Sequence, residues 1–256
     1  MNDLNPQTPA PEPVRVEPVR VAVHLPAQKP WVTYTLIIVT VLVYLAQLGS
    51  QFLLGDDWPA ALGMKINSYI IQGQYWRLIT PVLLHGSIFH IGFNMWALFV
   101  FGRDVERTYG HSRFFLLYWV GGLAGNVASF LNPANVASLG ASTAVFAVVA
   151  AQAVFWFQNR RLFGRSASAN LYNLASVIGI NLIFGFTVPG IDNFGHLGGL
   201  VGGAIFAFLA GPLFEVEGFA PDLHLVDHRK GLLAWLVAAV ETAGLFLIAS
   251  LKIFGH

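Results

Sequence analysis

Apolar residues gather along this chain into seven long blocks separated by short polar stretches. They run at roughly 31–49, 82–101, 114–131, 142–157, 171–188, 194–212 and 232–253. Each is about as long as a membrane-crossing helix needs or slightly shorter, and too long and uniform for strands or for the half-buried helices of a soluble domain. The pattern predicts an all-α polytopic membrane protein: six helices bundled over 31–212, a connection at 213–231, and a seventh helix within 232–256. The first thirty residues hold seven of the thirteen prolines and no apolar block. Residues 1–30 read as a disordered tail and not a cleavable signal, which makes the first span both targeting signal and anchor.

Composition sharpens this picture. The chain is 55% hydrophobic and 11% charged, with a formal net charge of +1 and no cysteine. Nucleic acid is therefore not an expected partner, and disulfides, a thiol nucleophile and thiolate metal sites are excluded. Lysine and arginine collect in the tail (Arg15, Arg20, Lys29) and in three connections (Arg103, Arg107, Arg113; Arg160, Arg161, Arg165; Arg229, Lys230). The opposite side holds Lys65, Arg77 and Lys252. By the positive-inside rule the N-terminus is cytoplasmic and the C-terminus outside, in a bacterial plasma (inner) membrane. The outer connection 50–81 is rich in aromatics (Trp58, Tyr69, Tyr75, Trp76), which favours a segment lying in the membrane interface, with Ile70 and Ile71 against lipid or protein.

Polar residues inside the spans carry the candidate chemistry, because at that depth they face a bundle interior or a wet cavity. The chain turns at Gly140 and enters the fourth helix at about Ser142. Sixteen residues at 1.5 Å rise cover about 24 Å against a hydrocarbon core of ~30 Å. With Arg160 and Arg161 at the inner interface, Ser142 must lie below the outer surface in a hydrated cavity. His196 falls in the first turn or so of the sixth span, and Asn94 follows His90 on one face of the second, which opens at His85 near the water boundary. Gly195, Gly199 and Gly203 form one stripe of small residues and Gly198 and Gly202 another, with Ala147, Ala150 and Ala151 as small partners on the fourth span. Topology thus gathers Ser142, His196, His90 and Asn94 in the outer third of the bilayer.

A serine activated by a histidine is the minimum for acyl transfer, with the Ser142 N–H, His90 and Asn94 as donors to an oxyanion. Ser142 as a helix cap is the plain alternative. Asp192, four residues before His196, either orients the imidazole or is a solvated loop residue. Glu106, among three arginines, reads as an ion-pair or capping residue. A metal site is disfavoured, since no His-Glu-x-x-His pattern occurs and His224 and His228 fall in a solvated connection. A transporter would have Glu241 as its best support, but no inverted repeat accompanies it.

Five motifs occur together: Gly-Gln-Tyr-Trp76-Arg77-Leu-Ile-Thr-Pro, His85-x4-His90-x3-Asn94, Gly102-x3-Glu106-x3-Gly110, Gly140-Ala-Ser142 and Gly195-His196-x2-Gly199-x3-Gly203. In this order they resemble the rhomboid intramembrane serine proteases, over residues 31 to 212, and the last span resembles the six-plus-one arrangement of many rhomboids. The resemblance implies a Ser142–His196 dyad without a third carboxylate, and His90 and Asn94 as oxyanion partners. It also implies Phe146 packed on His196, and His85, Gly140 and Gly199 in support. Substrates would be membrane proteins whose transmembrane helix enters laterally from the bilayer, with no cofactor and no metal. Thr143 departs from the family's Gly-x-Ser-Gly, and its bulk could narrow the cavity or displace His196. A weak or silent rhomboid-like binder of membrane clients is therefore the alternative.

Overall fold

The computed structural model describes residues 28–132, 137–219, 222–229 and 231–255. Apart from its last three residues, the expected tail lies outside them. Helix α1 (Trp31–Leu54) ends at Gly55 in a left-handed cap, but Pro30 gives its start no side-chain cap. Glu106 reaches back from a distant helix to accept the Val32 and Thr33 N–H groups (2.8 and 2.7 Å) and the Thr33 hydroxyl (2.6 Å). Its other contact is His111 Nδ1 at 2.5 Å. Glu106 is therefore neither paired to the nearby arginines nor a cap of its own helix; it caps α1, whose first N–H groups would otherwise be orphaned.

The outer connection is folded. Short helices α2 (Trp58–Gly63) and α3 (Asn67–Ile71) are followed by 3₁₀ turns at Tyr75–Leu78 and Thr80–Leu83. Arg77 ties them together, donating to Gln74 Oε1, Met64 O and Ala61 O at 2.7, 2.7 and 2.8 Å. Ile70 is fully buried against Leu78, Leu123, Val127 and Phe130, whereas Ile71 is exposed.

The second span departs from its expected start. His85 and Gly86 precede the helix, and α4 (Ile88–Ala97) begins only after Ser87, whose Oγ accepts the His90 N–H at 3.1 Å. This serine cap sets the boundary. The rod continues through a π turn (Leu98–Gly102) into α5 (Arg103–Tyr109).

Helix α6 (His111–Leu131) is the central post, buried over most of its circumference. Around it stand α7 (Ser142–Gln158), the short α8 (Arg160–Phe163), α9 (Arg165–Thr187) and α10 (Asn193–Ala210). The two glycine stripes of α10 serve different neighbours. A Cβ at Gly199 or Gly203 would meet Thr143 O at 2.0 Å or Ala147 Cα at 2.4 Å, both on α7. One at Gly198 or Gly202 would meet Ala128 or Ala124 Cβ at 2.3 or 2.4 Å, both on α6. Only glycine lets three backbones approach so closely, and in lipid such packing is what holds helices together. Ala147 is the small partner that meets Gly203, and the Ala151 carbonyl accepts the Tyr109 hydroxyl at 2.9 Å. Helix α9 is the opposite case, burying only Ala167, Leu174 and Gly185.

The connection after α10 is a two-stranded antiparallel hairpin, β1 (Phe214–Glu217) and β2 (His224–Asp227), not a bare solvated loop. Asp227 pairs with Arg113 and accepts the Leu213 and Arg229 N–H groups at 3.1 and 3.0 Å, while His228 lies 3.3 Å from both Glu215 and Glu217. Helix α11 (Gly231–Phe254) then packs on α6 and α10. Among the described residues, five helices (α1, α6, α9, α10, α11) are long and apolar enough to cross a membrane. Of the other two expected spans, the second runs as one rod from Ile88 through the π turn to Tyr109, and α7 has 17 residues.

Candidate active site

Three helix N-termini, of α4, α7 and α10, meet at the end of the bundle opposite Glu106. The connection into α7 runs Leu139-Gly140-Ala141. Gly140 sits at φ 140°, a backbone conformation that side chains disfavour, and a Cβ there would stand 2.7 Å from both Nε2 and Cε1 of His90. Glycine is thus required twice, once for the turn and once for the approach of the His90 ring. The Gly140 N–H donates to Pro81 O at 2.9 Å, and the Ala141 N–H points at Nε2 of His85 at 3.3 Å.

Ser142 is the first residue of α7, and Ala141 occupies the cap position without a side-chain cap bond. The serine hydroxyl makes a different contact: Oγ lies 2.9 Å from Nε2 of His196. Both residues are partly exposed, so the pair is reachable from outside the bundle. Phe146, one turn along α7, stacks on the His196 ring with centroids 4.5 Å apart and planes 19° from parallel. The close backbone packing at Gly199 brings α10 near enough for this pairing. His196 Nδ1 has no hydrogen-bond partner among the described residues, so no carboxylate orients the ring from behind.

Asp192 fits neither sequence expectation. It caps α10, its Oδ1 accepting the Gly195 N–H at 2.9 Å, and its Oδ2 accepts the Ser129 hydroxyl. His85 is almost fully buried within the protein, where the Gln47 amide grips its backbone from α1 (His85 N to Gln47 Oε1 3.0 Å; Gln47 Nε2 to His85 O 3.2 Å). Its ring meets that of His90 edge-on, with centroids 5.0 Å apart. His85 therefore supports both His90 and the turn before Ser142. Asn94 is buried one turn below His90 and donates to the His90 carbonyl at 3.0 Å.

Thr143 is buried against two neighbouring helices. Its side chain fills the notch left by two glycines, for a Cβ at Gly125 would stand 2.5 Å from Thr143 Cβ and one at Gly195 3.2 Å from its methyl. The bulk that the motif departure adds lies between α6 and α10. Among the described residues no cluster of three or more His, Asp or Glu side chains is arranged to hold a metal ion.

The site's polar surroundings include residues that spacing along the chain did not single out. Lys65 is fully buried, and its ammonium donates to Ser129 Oγ and O at 2.9 and 3.3 Å. The available sign was a lysine in the sparsely charged outer connection, but its partners come from two other segments.

A bundle of apolar helices with a serine–histidine pair where three helices begin defines a class, and sequence comparison identifies it. The Rhomboid domain family matches residues 72–213, more than half of the chain, and the protein belongs to that family. It is an integral, multi-pass membrane protein. Its relatives include Rhomboid protease GluP of Bacillus subtilis (strain 168), 40% identical over 183 residues, 72% of this chain and 35% of that protein. RHOMBOID-like protein 9, chloroplastic, of Arabidopsis thaliana is 36% identical over 159 residues, 62% of this chain and 36% of that one. Rhomboid-like protease 1 of Toxoplasma gondii is 37% identical over 165 residues, 60% of this chain and 52% of that one. The chain thus spans about a third to a half of the length of these relatives.

Proposed function

We propose that this protein is an intramembrane serine endopeptidase that cleaves transmembrane helices of membrane-protein substrates near the outer face of a plasma membrane. The observation that carries the reading is the 2.9 Å contact between Ser142 Oγ and His196 Nε2 at the mouth of α7. In this mechanism Oγ attacks the scissile carbonyl carbon as its proton passes to Nε2. The tetrahedral intermediate collapses, the C–N bond breaks, and His196 returns the proton to the leaving amine. Water, deprotonated by the same nitrogen, then hydrolyses the acyl-serine. The developing oxyanion would be met by the Ser142 N–H, free because it lies in the first turn of a helix, by the His90 ring, and by the Asn94 amide after it turns from the His90 carbonyl.

The stack of Phe146 on His196 supports a fixed ring in a dyad without a third member. The tail-side charge excess supports a cytoplasmic N-terminus, which places the site near the outer face. A silent client-binding protein rested on the bulk of Thr143, and that bulk packs into the Gly125–Gly195 notch instead. The test is cleavage of a reporter transmembrane helix by the reconstituted protein, paired with labelling by a fluorophosphonate probe. The parent is expected to cleave and to be labelled, and Ser142→Ala to do neither. Equal cleavage by both would remove Ser142 from the mechanism.

A further inference from the structure

Lys65 is linked to both segments that carry the pair, directly to the one before Ser142 and through Ser129 to the start of α10. Its backbone forms an isolated bridge with Ser138, four residues before Ser142 (Lys65 N to Ser138 O 2.9 Å; Ser138 N to Lys65 O 3.1 Å). Its ammonium donates to the carbonyl and hydroxyl of Ser129 at the end of α6. That hydroxyl donates a hydrogen bond to Asp192 Oδ2, and Asp192 Oδ1 accepts the Gly195 N–H in the first turn of α10. The Asp192 carbonyl, in turn, accepts the N–H of His196 itself at 3.1 Å.

We propose that Lys65 is a positioning residue, and that the relay Lys65–Ser129–Asp192 fixes the His196 turn of α10 against the connection that delivers Ser142. The inference rests on the protease reading. The physics favours a relay over incidental packing. A buried ammonium is expensive unless charge and hydrogen bonds compensate it, and here the compensating charge is the carboxylate that caps the histidine helix. Charge-assisted bonds in a water-poor setting are short and directional, so they resist the small rotations that would lengthen the Oγ–Nε2 contact. Asp192 also sits at the positive end of the α10 dipole, which holds it in place from the other side. Lys252 at the end of α11 donates to Phe130 O at 2.6 Å, next to Ser129, and its like charge opposes that of Lys65.

The experiment is a set of single and double variants of the full chain in proteoliposomes, read by kcat and KM on a reporter helix, by fluorophosphonate labelling rate and by melting temperature. Misplacing reacting groups by about an ångström costs up to roughly a hundredfold, so Lys65→Met is expected to lower kcat about ten- to a hundredfold with KM within about twofold. Asp192→Asn keeps a capping oxygen and removes only the charge, and Ser129→Ala removes only the bridging hydroxyl. Each should lose about three- to tenfold in kcat and in labelling rate. Lys65→Arg should recover most of the loss. Because the residues act in series, Lys65→Met with Asp192→Asn should be no worse than Lys65→Met alone. Losses that multiply in the double variant overturn the relay. So does a kcat within about twofold of the parent in Ser129→Ala and Asp192→Asn melting like the parent. A parent that neither cleaves nor labels overturns the protease reading itself, which is a separate result from variants that match an active parent.

Discussion

The two ends of this bundle use buried polar groups to opposite effect. At the Glu106 end three of them close structural joints: Glu106 caps α1, Asp227 holds Arg113 and the hairpin, and Asn159 bridges α7 to Pro212 and Phe214. At the Ser142 end polarity is left over. The serine hydroxyl faces an imidazole and does not cap its helix, and Nδ1 of both His85 and His196 lacks a partner among the described residues. Groups whose hydrogen bonds are complete contribute stability; groups held in place with spare capacity can contribute to a reaction. The comparison therefore separates residues expected to change melting from residues expected to change turnover.

The largest expected break is Ser142→Ala or His196→Ala, which should lower cleavage of a reporter helix by at least about a thousandfold, with melting near that of the parent. Next come His90→Ala and Asn94→Ala. Removing one oxyanion donor costs about 10²–10³ in turnover, so kcat should fall on that scale with KM and melting nearly unchanged, and the double variant should lose less than the product. If Asn94→Ala melts early yet turns over fully at low temperature, Asn94 belongs with the structural groups. Glu106→Gln tests the other end. Placing an amide against the α1 N–H groups that Glu106 caps should cost about 2–3 kcal/mol, read as a lower melting temperature, with kcat below melting within about twofold. Thr143→Gly should be milder, about 1 kcal/mol of stability from an emptied notch and a more flexible first turn, with no gain in activity. A clear gain would mean that the threonine does reach the cavity.

The smallest effect is a response to pH. Burial pulls the Lys65 ammonium down from 10.5 to about 8, against the raising influence of Asp192 and with Lys252 adding to the fall. Between about pH 8 and 10.5 the unfolded chain holds this proton and the folded chain does not, so this group's contribution to stability rises with pH across that window. The same deprotonation removes the charge opposing Asp192. Turnover should therefore fall a few-fold above about pH 8 while melting does not fall with it, and Lys65→Arg should flatten the change.

The spans were legible because long apolar blocks have no other solution in lipid, and the meeting of Ser142 with His196 was legible because topology and a short fourth span leave them little room to separate. What the chain hid was tertiary. The start of α4 depends on the Ser87 cap, the burial of His85 on a glutamine from α1, and the role of Asp192 on a serine more than sixty residues earlier. Glu106 was singled out correctly as a cap, yet the helix it caps is 73 residues away from it. Thr143 looked disruptive in the motif because the glycines that receive it, Gly125 and Gly195, lie on other helices.

The π turn between α4 and α5 has a consequence for which insertions and deletions this chain can tolerate. Twelve residues separate Asn94 from Glu106, which in a regular helix would set them about 120° apart around the axis. One extra residue accommodated in a single turn takes away about 100° of that, bringing both side chains round to the same side. Both are indeed buried, one at each end of the rod. The turn acts as a phase adapter, letting one helix face inward at its reactive end and again at its structural end. Deleting a single residue within Leu98–Phe101 would let the turn close into regular helix with both ends still facing inward. Losing a residue elsewhere between Asn94 and Glu106, with the turn intact, would rotate one of those ends out towards lipid.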